Sequence, residues 1–271
     1  MKKVLTIAGS DCSGGAGIQA DLKTFSAHGV YGMSVIVSVV AENTCRVIDV
    51  QDMKPDIIEK QIDAVFEDID VDAVKVGMLS GRECMQAVCG KLKEYMPSNI
   101  VIDPVMLAKG GHALMQENAL DFFIKELIPL AYILTPNIPE AEAITGSKIL
   151  SGTDVKKAAE SIHRMGAQRV LIKGGHRAGD ASDVLFDGKD FYFFNSRRID
   201  TKNTHGTGCT LSSAIASNLA LGMDCAGAVE KAKEYVTMAI EHSLEIGKGH
   251  GPTNHFYRLY REGLSEKTIV Q

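Results

Sequence analysis

The sequence predicts an α/β fold, a three-layer α/β/α sandwich around a mainly parallel central sheet. Three observations point there. Short apolar runs alternate with longer amphipathic stretches along the chain, and the runs are filled at both alternating positions, as in strands covered on both faces. A late pair of runs, 184–186 and 191–194, flanks Asp187-Gly188-Lys189-Asp190 and reads as an antiparallel hairpin. No Pro/Ser-rich, Gly-rich or like-charge stretch marks a linker, so residues 1–271 read as one domain.

Taken in order, the first strand is expected over 4–8, and a glycine-rich loop leads from it into a helix over 16–27. The run 34–41 is dense in Val and Ile and reads as the second strand. A helix is expected over 55–67. Strands over 73–77, 100–103, 132–135 and 169–172 then alternate with helices over 81–95, 117–126, 139–144 and 154–165. Helices over 210–220 and 225–244 close the pattern.

Composition narrows the function classes. With 29 basic against 34 acidic side chains and a pI near 5.9, the chain has no electrostatic footprint for nucleic acid or anionic lipid. No apolar run approaches the ~20 residues of a membrane helix. The N-terminal run is interrupted by Asp11, too early for a secretory signal, so a buried strand is expected there. The six cysteines lack paired C-x-x-C spacing, which fits a reducing cytoplasm.

In parallel sheets ligands bind where the carboxyl ends of the strands deliver their loops, so chemistry is sought just after each apolar run. Asn203-Thr204-His205-Gly206-Thr207-Gly208-Cys209-Thr210 runs into a small-residue helix. Gly206 and Gly208 would let backbone amides face inward, and the helix start adds unpaired N–H groups and a positive dipole end, so an anion is expected there. A tight turn that binds nothing is the alternative. Cys209 falls in the first helical turn, where the dipole favours a thiolate that could accept a proton; it could equally be a small packing residue.

Gly15-Ala16-Gly17-Ile18-Gln19-Ala20 matches the G-x-G-x-x-[GA] dinucleotide fingerprint, and Glu42 ends the next strand. Ser10 to Gly14 intervene after the strand, however, which displaces the fingerprint. No G-x-x-x-x-G-K-[ST] loop occurs. Asn137 and Glu140, three apart at a short helix start, could meet a hydrated Mg²⁺ or simply cap the helix. Lys173 and His176 follow another strand and could reach a phosphate, or lie exposed.

Together these loops resemble the hydroxymethylpyrimidine/phosphomethylpyrimidine kinases of thiamin biosynthesis, within the ribokinase-like superfamily. The likeness runs nearly end to end. It rests on Leu5 to Asp11 with Ser13 to Phe25, on Asp103-Pro104-Val105-Met106, and on Thr135-Pro136-Asn137 with Glu140-Ala141. Further matches are Lys173-Gly174-Gly175-His176, the stretch Asn203 to Thr210, and Gly247 to Phe256.

The resemblance implies ATP- and Mg²⁺-dependent phosphorylation of 4-amino-5-hydroxymethyl-2-methylpyrimidine and then of its monophosphate, by a homodimer. It implies a cradle of Gly206, Thr207 and Gly208, with Cys209 as base near the acceptor hydroxymethyl. Asn137 and Glu140 would arrange Mg²⁺ and phosphates, with Asp103 as a second group organising the metal. Lys173, Thr201, Lys202 and Lys248 would border the nucleotide. The acceptor pocket would comprise Ala8, Asp21, Val40, Glu42, Met78 and Val105 beside Cys209.

One departure is chemical. Thiamin-pathway members usually carry Gln where this chain has Glu42, and an ionised carboxylate accepts hydrogen bonds but donates none. A ring nitrogen beside it calls for protonation of the ring or of Glu42. Pyridoxine or pyridoxal phosphorylation on the same fold is the alternative. A dinucleotide oxidoreductase and a non-catalytic small-molecule binder are remoter ones. Lys109-Gly110-Gly111 and 178–181 are candidate lid segments.

Overall fold

A computed structural model describes residues 1–107, 111, 113–174 and 181–263. Its nine strands form one sheet: β1 (Lys3–Asp11), β2 (Tyr31–Glu42), β3 (Val47–Asp52), β4 (Ala73–Val76), β5 (Ile100–Ile102), β6 (Ile133–Leu134), β7 (Val170–Ile172), β8 (Ala181–Phe186) and β9 (Phe191–Ser196). The order is β3-β2-β1-β4-β5-β6-β7-β8-β9. The six strands from β2 to β7 pair in parallel, and both margins are antiparallel.

The helices are α1 (Gly17–Ala27), α2 (Pro55–Phe66), α3 (Arg82–Tyr95), α4 (Leu120–Phe122), α5 (Ile138–Thr145), α6 (Gly152–Arg164), α7 (Thr207–Ala220), α8 (Cys225–Glu241) and α9 (Tyr257–Glu262). Strand alternation sorts the core into two layers. Leu5, Ile7, Val74, Val76 and Ile102 face Ile58, Ile62, Met85, Val88 and Ile162 from α2, α3 and α6. Val4, Ala73, Val101, Ile133 and Leu171 face Phe25, Leu211, Ile215, Val229 and Val236 from α1, α7 and α8. This is the expected sandwich.

Three departures have local causes. β3 pairs antiparallel with β2 and is not legible in the sequence: Val47 to Asp52 lacks a regular apolar–polar alternation and stays largely exposed, so its strand character comes from β2. The helix expected over 117–126 is a composite: a 3-10 turn, the short α4, a π turn over Phe123–Leu127 and a second 3-10 turn ending at Pro129-Leu130. Helix α7 begins at Thr207, three residues before the expected start, because Gly206 takes up a left-handed φ of 78° that turns the chain directly into the helix. His176, Lys109, Gly110 and the segment after Gly263 lie outside the described residues, as does most of 178–181.

The connection from β1 runs to β2 on one side while β4 lies on the other, so the sheet reverses its winding between β1 and β4. A crevice at the carboxyl ends follows from that reversal.

Candidate active site

The loop after β1 is organised by one carboxylate. Asp11 is buried and accepts from the amides of Ser13 at 2.7 Å, Gly15 at 3.0 Å and Ala16 at 2.7 Å. It also meets His205 Nε2 at 2.8 Å, 194 positions away in sequence. Burial works against its charge, yet His205, Ser13 and Ala16 hold the carboxyl well below the usual carboxylate range. These bonds decide against the dinucleotide reading: the amides of Gly15 and Ala16 that would cradle a pyrophosphate are already spent on Asp11.

The same contacts lock the α7 entrance onto this loop. A Cβ on Gly206 would sit 1.7 Å from the Gly15 carbonyl oxygen, and one on Gly15 would sit 2.3 Å from the His205 ring. No side chain caps the start of α7; the Thr207 amide donates to the Thr204 carbonyl at 3.3 Å, and the dipole end of the helix favours an anionic guest beside Gly208. Gly208 opens toward Asp103 and Lys173: a Cβ there would lie 3.4 Å from the Asp103 carboxylate and 3.7 Å from Lys173 Nζ.

Lys173 is the hub of the loops after β5 to β7. Its ammonium lies 2.6 Å from Asp103 and 4.0 Å from Glu140. Burial opposes its charge, but Asp103 and Glu140 outweigh this and raise its pKa. Asp103 is buried and also accepts from Thr135 Oγ1 at 3.1 Å. Asn137 and Glu140 form a complete capping box on α5: the Asn137 side chain accepts from the Glu140 amide at 2.9 Å, and Glu140 accepts from the Asn137 amide at 2.7 Å. Burial pushes Glu140 up to about 7, with Lys173 pulling it down and Asp103 adding to the rise.

On the acceptor side, Glu42 at the end of β2 is half-buried. Burial and then the Asp11 charge push its pKa up to about 7, with His205 pulling the other way. Ligand atoms of Asp11, Glu42 and His205 lie within 4.8 Å of one another. Met78 folds over Gly9, where a Cβ would come within 2.6 Å of its methyl, while Ala8, Val40 and Met78 are buried and Val105 is half-buried. Asp21 is placed differently from the expectation. It has no exposed surface and lies beneath the pocket, bonded to Lys75, Thr6 and Ser213, so it has no face to offer a substrate.

Cys209 is half-buried in the first turn of α7, and the Gly17 amide donates to its sulfur. The helix start was expected to favour a thiolate. Burial instead raises the thiol to about 11, with Lys75 pulling down and Asp21 and Asp103 pushing up. Thr201 accepts from the Asn203 amide at 3.1 Å, and the exposed Lys202 carbonyl lies 2.8 Å from His250 Nδ1. Lys248 is exposed on the loop whose neighbour Gly249 donates to Thr44 at 3.1 Å. Sequence reasoning missed the role of His205, whose partner is far away in the chain, and Lys75, hidden in an apolar strand.

A family described as phosphomethylpyrimidine kinase matches residues 11–254, which include every loop just described except the start of β1. The chain belongs to that family. The kinase is 49% identical over 262 residues to the hydroxymethylpyrimidine/phosphomethylpyrimidine kinase of Rhizobium meliloti, covering 95% of this chain and 98% of that one. It is also 51% identical over 253 residues to a thiamine biosynthesis bifunctional protein, ThiED, of Geobacter sulfurreducens. That match takes in 93% of the kinase but 52% of the bifunctional protein, so the chain spans about half the length of that relative. Among solved structures, an ADP complex of Bacillus subtilis pyridoxal kinase superposes with a TM-score of 0.88 at 41% identity, covering 94% of the kinase and 98% of that chain. The fold is therefore ribokinase-like, as the resemblance implied.

Proposed function

We propose that the chain, as a single kinase domain over 1–271, transfers the γ-phosphoryl group of ATP to 4-amino-5-hydroxymethyl-2-methylpyrimidine and then to its monophosphate, in thiamin biosynthesis. The observation that carries this reading is the convergence of three loops on the start of α7: Glu42 through Asp11 and His205, Asp103 with Lys173 beside Gly208, and Cys209 itself. Phosphoryl transfer depends mainly on positioning and on stabilising charge, and an amide cradle at a helix start flanked by a lysine suits it.

In this reading the amides of Gly206 and Gly208 hold the transferring group, Thr207 between them shapes the turn through its amide bond to Thr204, and Lys173 neutralises the group's oxygens. Cys209, as thiolate, takes the proton of the acceptor hydroxyl, whose oxygen bonds to phosphorus as the bond to the departing ADP oxygen breaks. Asp103 and Glu140 are two neighbouring carboxylates sharing one ammonium, an excess of negative charge that fits a divalent cation. When bound, Mg²⁺ would supply charge neutralisation at the phosphates. Asn137 holds Glu140 in place, and Thr201, Lys202 and Lys248 line the nucleotide's other side. Ala8, Val40, Met78 and Val105 wall the flat ring, and Glu42 reads its polar edge.

A neutral Glu42 donates to a ring nitrogen as well as accepting from the exocyclic amine, which answers the Gln-to-Glu departure. Identity to the relatives named hydroxymethylpyrimidine/phosphomethylpyrimidine kinase, 43 to 49%, exceeds the 41% to the pyridoxal kinase. No described helix is long and apolar enough to cross a membrane, and all six cysteines are free, in keeping with a reducing cytoplasm. Exposed Val39 and Ile48 on neighbouring outer strands suit a homodimer contact. The decisive experiment is an ATP-consumption assay against the pyrimidine, its monophosphate, pyridoxine and pyridoxal, with and without Mg²⁺. Turnover should be greatest on the pyrimidine alcohol with metal; far better turnover of pyridoxine, with Glu42→Gln neutral, would overturn the substrate assignment.

A further inference from the structure

Asp183 of β8 and Lys233 of α8 form an ion pair at 2.6 Å, with side-chain exposures of 4% and 12%, and the proposed transfer uses neither. A buried carboxylate is costly. Asp183 shares a strand face with Leu185, which is buried in the layer covered by α7 and α8, so an apolar side chain would suit the packing there. What the carboxylate adds is a grip on the chain opposite. Its Oδ1 accepts from the Gly174 amide at 2.9 Å, while Oδ2 takes Lys233 Nζ at 2.6 Å.

Gly174 directly follows Lys173, and its amide belongs to the peptide unit that begins at the Lys173 carbonyl carbon. The amide of Lys173 itself donates to the Pro136 carbonyl at 2.8 Å. Both peptide units flanking the Lys173 Cα are therefore held. Because each unit is planar, the two together set φ and ψ of the lysine and with them the direction in which its side chain leaves the backbone. The first hold comes from a main-chain carbonyl, whereas the second depends on one side chain.

Sheet pairing does not supply that second hold. The β7–β8 ladder ends at the Ile172–Val184 pair, so Gly174 lies beyond it. The two chains nevertheless stay close: a Cβ on Gly174 would sit 1.9 Å from the Ser182 carbonyl oxygen, and glycine permits the approach that brings its amide to Asp183. At the far end of Lys173, Nζ meets Asp103 at 2.6 Å and stands 3.7 Å from where a Cβ on Gly208 would lie, at the mouth of the cradle.

We propose that Asp183, braced by Lys233, is a positioning residue for the nucleotide half: by gripping the peptide unit after Lys173 it aims that lysine's ammonium at the phosphates. The inference rests on the reading of Lys173 as the group that neutralises the transferring oxygens. Asp183 acts through the backbone and touches no reacting atom.

Two neutral replacements separate the grip from the charge. Asp183→Asn combined with Lys233→Met removes both charges but keeps an oxygen for the Gly174 amide; Asp183→Leu combined with Lys233→Met removes the oxygen as well. Steady-state kinetics of the full-length chain, with ATP and the pyrimidine alcohol varied separately, should show for the Leu form an ATP KM raised about tenfold and a kcat lowered about tenfold, with the acceptor KM within about twofold of wild type. The Asn form should stay within about threefold of wild type on every constant. A pair that only braces the fold would lower the melting temperature and move both KM values together or neither. That result, or an Asn form as impaired as the Leu form, would overturn the proposal. Should the Leu form not fold, Asp183→Ala takes its place with the same expected shift, since it lacks the oxygen and lets Lys233 turn to solvent. Lys173→Met run alongside keeps the two readings apart. An unmoved ATP KM in that variant refutes the role of Lys173, whereas a raised one beside a normal Leu form refutes only the role of Asp183.

Discussion

The two halves of the site are built from nearly the same parts. The acceptor half has Asp11, Glu42 and His205; the nucleotide half has Asp103, Glu140 and Lys173. In each, one glutamate is pushed up to about 7. They differ in what the nitrogen partner, Lys173 or His205, does. Lys173 bridges both carboxylates of its half, and Glu140 is further fixed by capping α5, giving a rigid charge anchor. On the other side Asp11 absorbs three amides and His205 for itself, which leaves Glu42 half-buried and free to change protonation with its guest. Similar composition thus yields a clamp fixed in position by its bonds in one place and, in the other, a recognition group left open to a guest.

The comparison can be broken at its hinge. Cys209→Ala, at the meeting point of the halves, should lower kcat by about 10²–10⁴ while ATP still protects against thermal unfolding. Near-normal turnover would reduce Cys209 to packing. Gly206→Ala forces a Cβ into the Gly15 carbonyl at a φ of 78°, so the cradle must shift. Activity should drop about 10²–10³-fold, the scale of losing one oxyanion donor, together with a lower melting temperature.

Lys173→Met sharpens the contrast between clamp and recognition group. It strands Asp103 and Glu140 without their shared cation, so the KM for ATP should rise about tenfold or more, with the acceptor KM little moved. Stability should fall by about 3 kcal/mol in urea titrations at pH 8, less at pH 6 where Glu140 protonates and repulsion eases.

Glu42→Gln carries the smallest effect and tests protonation alone. Because the folded pKa is raised, native Glu42 is neutral below about 7 and ionised above it, so the wild-type acceptor KM should climb as pH passes 7. The variant should show a flat profile, with KM within about threefold of wild type at pH 6. The sign for stability follows from the same shift. The unfolded carboxyl ionises near 4.5 and the folded one near 7, so wild type loses stability between those values as pH rises, and the variant should not.

Much of this was legible in advance because it depends on local chemistry. Apolar runs filled on both faces announced the parallel strands, and the spacing of Asn137 and Glu140 announced a helix start, realised as a capping box. Gly206 and Gly208 marked a place where backbone must approach a ligand or another loop. What failed to show was long-range pairing. Lys75 sits within Ala73-Val74-Lys75-Val76 and gives no hint of Asp21, and the resemblance that places Asp21 in the pocket does not show that it pairs with Lys75 beneath it.

The sequence by itself determined the layered α/β architecture and the loops that carry the chemistry, since strand periodicity and glycine at tight turns act over a few residues. Only the tertiary structure decided the charge state of the site. A carboxyl or thiol titrates according to its burial and to charges a few ångströms away, and those arrive from strands and helices far apart in the chain.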